Sequence, residues 1–516
     1  MKNARKIISL LIAISIISAL LMSCSSGTVS GSANTIVFAQ GAEPRGLDPA
    51  LVDDGESSKI MGNIYEGLLK YGDDSTELKP SLAESWEVSD DGLTYTFNLR
   101  QGIKFHDGTD FNADAVKFNI DRQLEGNATE DMGYADFVYG SVKSVQVVDD
   151  HTVQVNMKEV CTPFLSNLAM TLAAPMVSPK ALQENNNNVN ENPVGTGPYK
   201  FVRWNKSESV VLIRNEEYWG NKAVTENLVF KFIADNSARV VALSNGEVDI
   251  IDGVDATVVD QIKNSGNILE ETEGMNVNYM AYNTQSKLFS NKELRRAVSQ
   301  AINVPELVSS LYQGYASEAT SILPTFMNGY DESITQVKYD PDAAKETLSK
   351  AGVTKIHMIT YSNSRPYNTA NGQVLAEAIQ GYLSKIGIEC VIDSYDWTTY
   401  KEKVKAGDYD VCFYGWVGDN GDPDNFMNLL ASDDIGLNAA RYDNEEYKKL
   451  VEKGLSTAEG AERNKIYTQL EKMVAEDAVW LPISHTKILS ARSTKIQNYN
   501  YHVTGNVFLS KVSKSQ

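Results

Sequence analysis

The chain has 516 residues, which is more than one hydrophobic core usually serves, so the length predicts at least two lobes. Its formal net charge of −21 at pH 7 argues against binding nucleic acid or an anionic bilayer through a basic patch. The four cysteines show no CxxC spacing and the five histidines are scattered, so neither a disulfide framework nor a histidine metal site is predicted.

The N-terminus has the pattern of an export signal. Three basic residues precede an apolar stretch over residues 7–22, which is marginal in length for a spanning helix. The run "LMSC" that ends at Cys24 resembles the lipobox of bacterial lipoproteins, whose cysteine becomes the lipid-modified first residue. We therefore predict a signal peptide at 1–23, lipidation of Cys24 and a flexible tether over 24–34. Cleavage near Ala33, as in an ordinary secreted protein, is the alternative.

Short strands and helices follow in the first half of the chain. A β-rich run over residues 35–38 comes first, and every second residue from Leu93 to Leu99 is apolar, which predicts a strand that faces one core. The next periodic segment is a helix with Asn112 as its N-cap. The glycine-rich "PVGTGPYKF" is a turn into a strand, because it lacks the GK[ST] ending of a phosphate loop.

A strand, helix, strand, helix, strand pattern fills residues 355–416. The strands are "KIHMITY", "IECVID" and "YDVCFYGW", and segments of this length between them predict right-handed crossovers and a parallel sheet. In such a sheet the carboxyl ends of all strands lie on one edge, where ligands bind. Arg365 follows the first strand and Asp419 the third, so we expect both on the same rim.

The segment "GWVGDNGDPDNF" places Asp419, Asp422 and Asp424 within six positions and has no basic residue. Their carboxylates could face a metal ion, a catalytic partner or a cationic group on a ligand. The spacing does not match a calcium loop, but it leaves open a glycosidase that uses Asp419 and Asp422. We interpret Asp422 and Asp424 as turn and N-cap residues of a helix that starts near Phe426.

Several segments together carry a resemblance to one family. They include "PSLAESWEVSDDGLTYTFNLRQGIKFHDG", "PVGTGPY", "NEEYWGNK", "LRRAVSQAINVPEL", "RPYN" and "GWVGDNGDPDNF", and the similarity runs from about Thr35 to Phe508. The chain resembles the extracytoplasmic solute-binding proteins of family 5, which serve ABC importers for di- and oligopeptides. The dipeptide-binding branch fits best through "RPYN" and "GDNGDPDNF".

The resemblance implies an α/β, two-lobed periplasmic-binding-protein-like fold of the large three-domain class, with a hinge and an interlobe ligand cleft. The predicted division is a discontinuous domain of lobe 1 (35–65, 177–280 and 490–516), an accessory domain on lobe 1 (66–176) and a lobe 2 domain (281–489). It also implies a binder and not an enzyme, with no cofactor or metal.

Carried onto this chain, the motifs imply that Arg365 holds a peptide carboxylate and Asp419 holds its α-ammonium. The other implied ligand-binding residues are Trp416, Val417 and Gly418 through their backbone, with Tyr367, Asp53 and Tyr134. A structural salt bridge between Arg365 and Asp419 is the competing interpretation. Among the nearby aromatic residues we predict that Trp397 and Tyr395 fill the core.

The implied partners are a short peptide, the permease subunits of an ABC importer with their ATPase, and a lipid bilayer through Cys24, but no nucleic acid. We expect a monomer on the outer face of the bacterial cytoplasmic membrane. Relatives of this architecture also bind glutathione, haem, nickel chelates or opines, so another cargo within the same transport class is the alternative.

Overall fold

The computed structural model describes residues 34–124, 126–129 and 131–515. The predicted signal peptide, Cys24 and almost all of the predicted tether lie outside these residues. Cys161, Cys390 and Cys412 are free thiols. None of the described helices combines the length and the apolar character needed to cross a membrane.

The strands of the described residues are given in chain order. They are β1 (Thr35–Gln40), β2 (Leu69–Tyr71), β3 (Leu78–Pro80), β4 (Ala83–Val88), β5 (Thr94–Leu99), β6 (Val142–Asp149), β7 (Thr152–Met157), β8 (Tyr199–Asn205), β9 (Ser209–Arg214), β10 (Asn227–Phe232), β11 (Ile250–Ile251), β12 (Ile268–Thr272), β13 (Asn276–Tyr282), β14 (Ala316–Glu318), β15 (Lys355–Tyr361), β16 (Glu389–Tyr395), β17 (Val411–Val417), β18 (Trp480–Thr486), β19 (Ile488–Arg492), β20 (Ile496–Gln497) and β21 (Ser513–Lys514).

The α-helices of the same residues are numbered separately, and a short 3₁₀ turn covers Ala256–Val258. They are α1 (Gly55–Met61), α2 (Ala113–Asp121), α3 (Ala135–Tyr139), α4 (Phe164–Asn167), α5 (Pro179–Glu184), α6 (Asn236–Ser244), α7 (Val259–Asn264), α8 (Lys292–Gln300), α9 (Val304–Tyr312), α10 (Pro341–Lys350), α11 (Gly372–Lys385), α12 (Trp397–Ala406), α13 (Asp424–Ala431), α14 (Glu445–Ser456) and α15 (Ala461–Asp477).

Lobe 1 is built on a seven-stranded sheet in the order β12-β19-β11-β1-β10-β9-β8. Strand β1 is parallel to both of its neighbours, β10 and β11. All six residues of β1 are buried. Its sequence "TIVFAQ" is rich in β-branched and aromatic side chains, which suit a strand in the interior of a sheet.

The segment predicted as an accessory domain, residues 66–176, contains a four-stranded antiparallel sheet in the order β4-β5-β7-β6. Its strand β5 buries Tyr95, Phe97 and Leu99, which confirms the predicted alternation. Helix α2 covers this sheet. Its N-cap Asn112 accepts a hydrogen bond from the backbone N–H of Ala115, as the sequence predicted.

Lobe 2 is built on a six-stranded sheet in the order β14-β18-β13-β17-β15-β16. Strand β15 is parallel to both β16 and β17, which confirms the predicted parallel unit. Helices α11 and α12 are its crossover connections. The carboxyl ends of β15 and β17 therefore lie at the same edge of the sheet, and the loops with Arg365 and Asp419 both start there.

The chain crosses between the two large sheets twice. Strand β12 belongs to the lobe 1 sheet and β13 to the lobe 2 sheet, so the first crossing is at residues 273–275; the second is at residue 487, between β18 and β19. The predicted boundaries at 280/281 and 489/490 fall a few residues after these crossings. Each crossing is only one to three residues long, so no separate linker segment marks it in the sequence.

The start of α13 differs from the prediction. The helix begins at Asp424 and its N-cap is Pro423, so Asp424 is the first helical residue and not the cap. The backbone N–H of Asp424 donates instead to the Asp422 carboxylate, 2.9 Å away. Pro423 suits a helix start because it has no N–H to satisfy and its φ is already near the helical value.

Candidate functional site

The Asp419 carboxylate is held by neutral groups alone. The Tyr134 hydroxyl donates to its Oδ1 at 2.7 Å, and the Asn425 side-chain amide donates to its Oδ2 at 3.4 Å. No basic group among the described residues forms an ion pair with it. Burial raises the pKa of Asp419, and the hydrogen bonds from Tyr134 and Asn425 oppose that rise. The site therefore has a half-buried carboxylate with no cationic partner from the described residues.

Asp422 has the partner that Asp419 lacks. The Arg463 guanidinium donates two bonds to its carboxylate, at 2.7 and 2.8 Å, and both side chains are almost completely buried. Because this pair is almost completely buried, the Asp422 carboxylate cannot contact a sugar, and the structure does not support the glycosidase alternative. The structural role predicted for Asp422 is confirmed.

Metal binding finds no support either. No group of three or more histidine, cysteine, aspartate or glutamate side chains in residues 34–124, 126–129 and 131–515 is arranged to hold an ion. Asp424, the third aspartate of the segment, is buried, and burial together with the neighbouring Asp422 raises its pKa to about 7.

Arg365 lies in the loop after β15 and is also without an acidic partner. Its guanidinium lies 3.9 Å from the centroid of the Trp397 ring, and its Nε is buried without a hydrogen bond. No carboxylate of the described residues pairs with it, so the structural salt bridge to Asp419 considered above is not formed. Trp397, predicted as core, is half-buried; it packs against the core of lobe 2 and also contacts the Arg365 guanidinium.

The loop of Arg365 is anchored by a buried asparagine. The backbones of Arg365 and Asn368 exchange two hydrogen bonds, of 3.0 and 2.8 Å. The Asn368 side chain accepts from the Tyr312 hydroxyl at 2.8 Å and donates to the Tyr361 hydroxyl at 3.0 Å. Asn368 has no exposed surface, so its hydrogen bonds attach this loop to the core of lobe 2.

The structure places Tyr367 below the rim. Only 4% of Tyr367 is exposed, and its ring lies so close to Gly415 that a Cβ there would overlap it. Burial raises the pKa of Tyr367, while the nearby Arg365 guanidinium opposes the rise. Tyr367 thus supports the loop and the strand rather than presenting a broad surface to the cleft.

The other predicted residues occupy different positions. Trp416 and Val417 are half-buried at the end of β17, and the Gly418 N–H donates to the carbonyl of Met275 at 2.7 Å. A Cβ on Gly418 would lie 2.8 Å from the Phe426 ring, so this turn has no room for a side chain. Asp53 is exposed and pairs with Arg45.

Sequence reasoning missed Asn425. Its side-chain oxygen accepts from the Trp416 indole N–H at 2.7 Å and from the Asp419 backbone N–H at 3.1 Å, while its amide nitrogen faces the Asp419 carboxylate. The only signal in the sequence was its place in the segment "GDNGDPDNF", six residues after Asp419.

Comparison with known proteins agrees with this architecture. Residues 77–438 match the model of the bacterial extracellular solute-binding proteins, family 5. The chain belongs to this family. Its members are the non-enzymatic, extracytoplasmic binding components of ABC importers.

Three similar proteins illustrate the range of the family. Di/tripeptide-binding protein 1 of Pseudomonas aeruginosa is 33% identical, over 90% of this chain and 92% of its own. Heme-binding protein A of Haemophilus influenzae is 32% identical, over 91% and 90%. A periplasmic binding protein of Helicobacter pylori, solved with the peptide STSA, is 31% identical, with a TM-score of 0.78 over 96% of this chain and all of its own.

In this family 5 protein, Asp419 lies where the two lobes meet. Tyr134 lies in the predicted accessory domain, and its hydroxyl donates to Asp419 of lobe 2. Next to it, the Asn420 amide donates to the Asn167 side chain at 2.5 Å. Farther along the junction, Thr162 donates its N–H to the carbonyl of Leu455, at 2.9 Å. The loop that carries Asp419 therefore also takes part in the contact between the lobes.

Proposed function

We propose that this chain is the substrate-binding lipoprotein of an ABC importer, and that it captures short peptides, dipeptides above all, and delivers them to the permease. The observation that carries this proposal is the pair of unpartnered charges, Arg365 and Asp419, in loops that start at the same sheet edge. A free dipeptide carries one negative and one positive end, so it complements both.

The physical argument concerns the cost of removing a zwitterion from water. An unpaired charge that becomes buried costs several kcal/mol, so each end of the ligand needs an opposite charge. Arg365 suits the carboxylate because its planar fork can donate two parallel hydrogen bonds. Asp419 suits an ammonium because its own donors, Tyr134 and Asn425, are neutral and do not cancel its charge.

The unpaired edge of strand β17 is a second observation in favour of a peptide ligand. Strand β15 pairs with β17 only at Val411 and Cys412, so farther along β17 this edge is not covered by any described strand. An extended peptide can bond to an open strand edge through its main chain. Since an extended chain spans about 3.3 to 3.6 Å per residue, two fixed charges would select peptide length.

Calorimetric titration of wild type, Arg365→Ala and Asp419→Ala with alanyl-alanine and its N-acetylated and C-amidated forms tests the proposal. Each substitution leaves one end of the free dipeptide unpaired, so each should weaken binding by about 2 to 5 kcal/mol, roughly thirtyfold to several thousandfold. Asp419→Ala should lose the preference for the free amine, and Arg365→Ala the preference for the free acid.

Arg203→Ala and Asp433→Ala are matched controls, because both side chains are exposed. They should leave affinity and selectivity unchanged. If wild type binds blocked and free dipeptides equally well, the two-charge model is wrong.

Haem is the second candidate cargo, because a haem-binding relative is as similar to this chain as the peptide-binding ones. Haem has carboxylates but no ammonium. Its binding would therefore depend on Arg365 and not on Asp419, and titration of the same variants with haem distinguishes the two cargoes.

The membrane anchor is a separate part of the proposal and is supported by the sequence pattern before Cys24. The mature protein would be a monomer that begins at an acylated Cys24 on the outer face of the cytoplasmic membrane. Intact mass and detergent partitioning of the native protein test this. A soluble product without acyl chains would contradict it.

A further inference from the structure

Asn425 stands at the centre of the hydrogen bonds around Asp419. We propose that Asn425 is a positioning residue, which sets the orientation of the Asp419 carboxylate so that it can receive the ligand's ammonium group. This inference rests on the proposed function, since it concerns the same site. It assigns to Asn425 a role that acts through Asp419 and not by contact with the ligand.

The geometry defines the orientation of the Asn425 amide. Its oxygen receives two N–H groups, the Trp416 indole at 2.7 Å and the Asp419 backbone at 3.1 Å. Neither group can accept a hydrogen bond, so the oxygen must face them, and the NH₂ group must face the Asp419 carboxylate, 3.4 Å away. Asn425 is only 6% exposed, so water does not readily replace these contacts.

Each lobe supplies one hydrogen-bond donor to the Asp419 carboxylate. Tyr134 from lobe 1 donates to Oδ1, and Asn425 from lobe 2 donates to Oδ2. A carboxylate has about four acceptor positions, so two protein donors leave others for a ligand. Because both donors are neutral, they restrict rotation of Asp419 without pairing its charge. Of the two, only Asn425 belongs to the same lobe as Asp419, so only its bond does not depend on lobe closure.

A structural role is the competing account, because Asn425 lies in the first turn of α13 and also holds Trp416. The two accounts differ in a double-mutant cycle. If Asn425 acts through Asp419, its removal should have little effect once Asp419 is alanine. If Asn425 acts by supporting α13 and Trp416, the losses of binding free energy in the two single variants should add in the double variant.

The experiment measures binding of alanyl-alanine and N-acetyl-alanyl-alanine to wild type, Asn425→Ala, Asp419→Ala and the double variant. Loss of hydrogen bonds around a charged group predicts that Asn425→Ala weakens binding of the free dipeptide by about tenfold to hundredfold. In the Asp419→Ala background the substitution of Asn425 should change the dipeptide affinity by about twofold or less. Deviations of this size are usual between independent sites. Binding of the acetylated dipeptide should change as little.

Two further variants are needed. Asn428→Ala removes an exposed amide from the same helix and should behave as wild type. Asn425→Ser keeps a polar group but is too short to bridge Trp416 and Asp419, so it should reproduce the loss of selectivity if Asn425→Ala does not fold. Thermal unfolding of every variant shows which ones are folded.

A measurement without ligand separates this inference from the choice of cargo. The pKa of Asp419 can be followed by ¹³C NMR of the aspartate carboxyl groups, with Asp419→Asn for assignment. Because Asn425 stabilises the ionised form, Asn425→Ala should raise this pKa further.

Additive losses in both backgrounds, equal for free and acetylated dipeptides, would overturn the inference. If wild type binds no free dipeptide, the proposed cargo is wrong. The pKa of Asp419 is then the measurement that tests the positioning role of Asn425. A further rise in Asn425→Ala would uphold the positioning role, and an unchanged pKa would refute it.

Discussion

Three aspartates in one short segment have three different surroundings. Asp419 faces neutral donors from both lobes, Asp422 forms a bidentate pair with Arg463, and Asp424 is buried beside Asp422. Identical side chains therefore have different roles, set by what the fold brings next to each. Arg463, which decides the role of Asp422, lies 41 positions away in the chain.

Trp397 illustrates the same principle for Arg365, and it leads to a prediction. The Arg365 guanidinium lies 3.9 Å from the centroid of the Trp397 ring, and this contact restricts the arginine without neutralising its charge. Trp397→Leu should weaken binding of dipeptides with a free carboxylate by about twofold to thirtyfold, and Trp397→Phe by less. Titration with free and C-amidated alanyl-alanine measures this.

The control for Trp397 is Tyr395→Leu. Tyr395, predicted as core, is half-buried against the core of lobe 2. Its substitution removes a similar contact that does not involve Arg365, because the Lys403 ammonium lies 5.6 Å from the Tyr395 ring centroid. This variant should bind as wild type does. If Trp397→Leu weakens binding of free and amidated dipeptides equally, Trp397 acts only as a core residue.

At the scale of elements, the start of α13 predicts a pH dependence of stability. The pKa of Asp424 is raised to about 7 in the folded protein, whereas an aspartate in an unfolded chain titrates near 3.9. Between these values the folded state binds a proton that the unfolded state does not. The contribution of Asp424 is therefore fully present below about pH 4 and is lost as the pH rises to about 7.

Asp424→Asn should remove the loss of stability that Asp424 causes as the pH rises. Relative to wild type, the variant should gain free energy of unfolding on the order of a few kcal/mol at about pH 8, and little at about pH 4. Denaturant unfolding at both pH values measures the difference, and Asp433→Asn, an exposed aspartate, is the control. A difference between Asp424→Asn and wild type that does not depend on pH would contradict the raised pKa.

At the scale of the whole molecule, the two crossings between the lobes are tied to both halves of the site. The Asn276 side chain bonds to the N–H and the carbonyl of Thr486, each at 2.8 Å, and so links the two crossing strands. The Thr486 hydroxyl donates to the carbonyl of Tyr367, and the Met275 carbonyl accepts from Gly418. The hinge is thus hydrogen-bonded to the loops that carry Arg365 and Asp419.

Gly274 is the residue of the first crossing where this geometry leaves no space. A Cβ there would overlap the Asn276 amide and the Thr486 carbonyl, which is backbone and cannot turn away. Gly274→Ala should therefore lower the free energy of unfolding by about 1 to 3 kcal/mol. It should weaken binding of free and blocked dipeptides in the same proportion. The substitution changes the packing between the lobes and leaves Arg365 and Asp419 in place.

Gly381→Ala is the control for the hinge variant. It adds the same methyl group on helix α11, where no atom outside the neighbouring helix backbone lies within 4 Å, and a helix interior favours alanine over glycine. This variant should be as stable as wild type or slightly more so. If Gly274→Ala is as stable as Gly381→Ala, the hinge tolerates the extra atom and the predicted overlap is wrong.

The sequence alone determined the local structure and the identity of the family. The alternating apolar residues of β5, the N-cap of α2, and the parallel unit of β15, β16 and β17 were all predictable, because each depends on residues that are close in the chain. The same unit placed Arg365 and Asp419 at one sheet edge.

Only the tertiary structure decided which charges are paired. Arg463 neutralises Asp422, Tyr134 crosses between the lobes to Asp419, and Asn425 turns its amide toward that carboxylate. The positions of the lobe crossings were also decided there. The physical reason is that the free energy of a buried charge depends on the groups within a few ångströms of it, and here most of these groups come from distant parts of the chain.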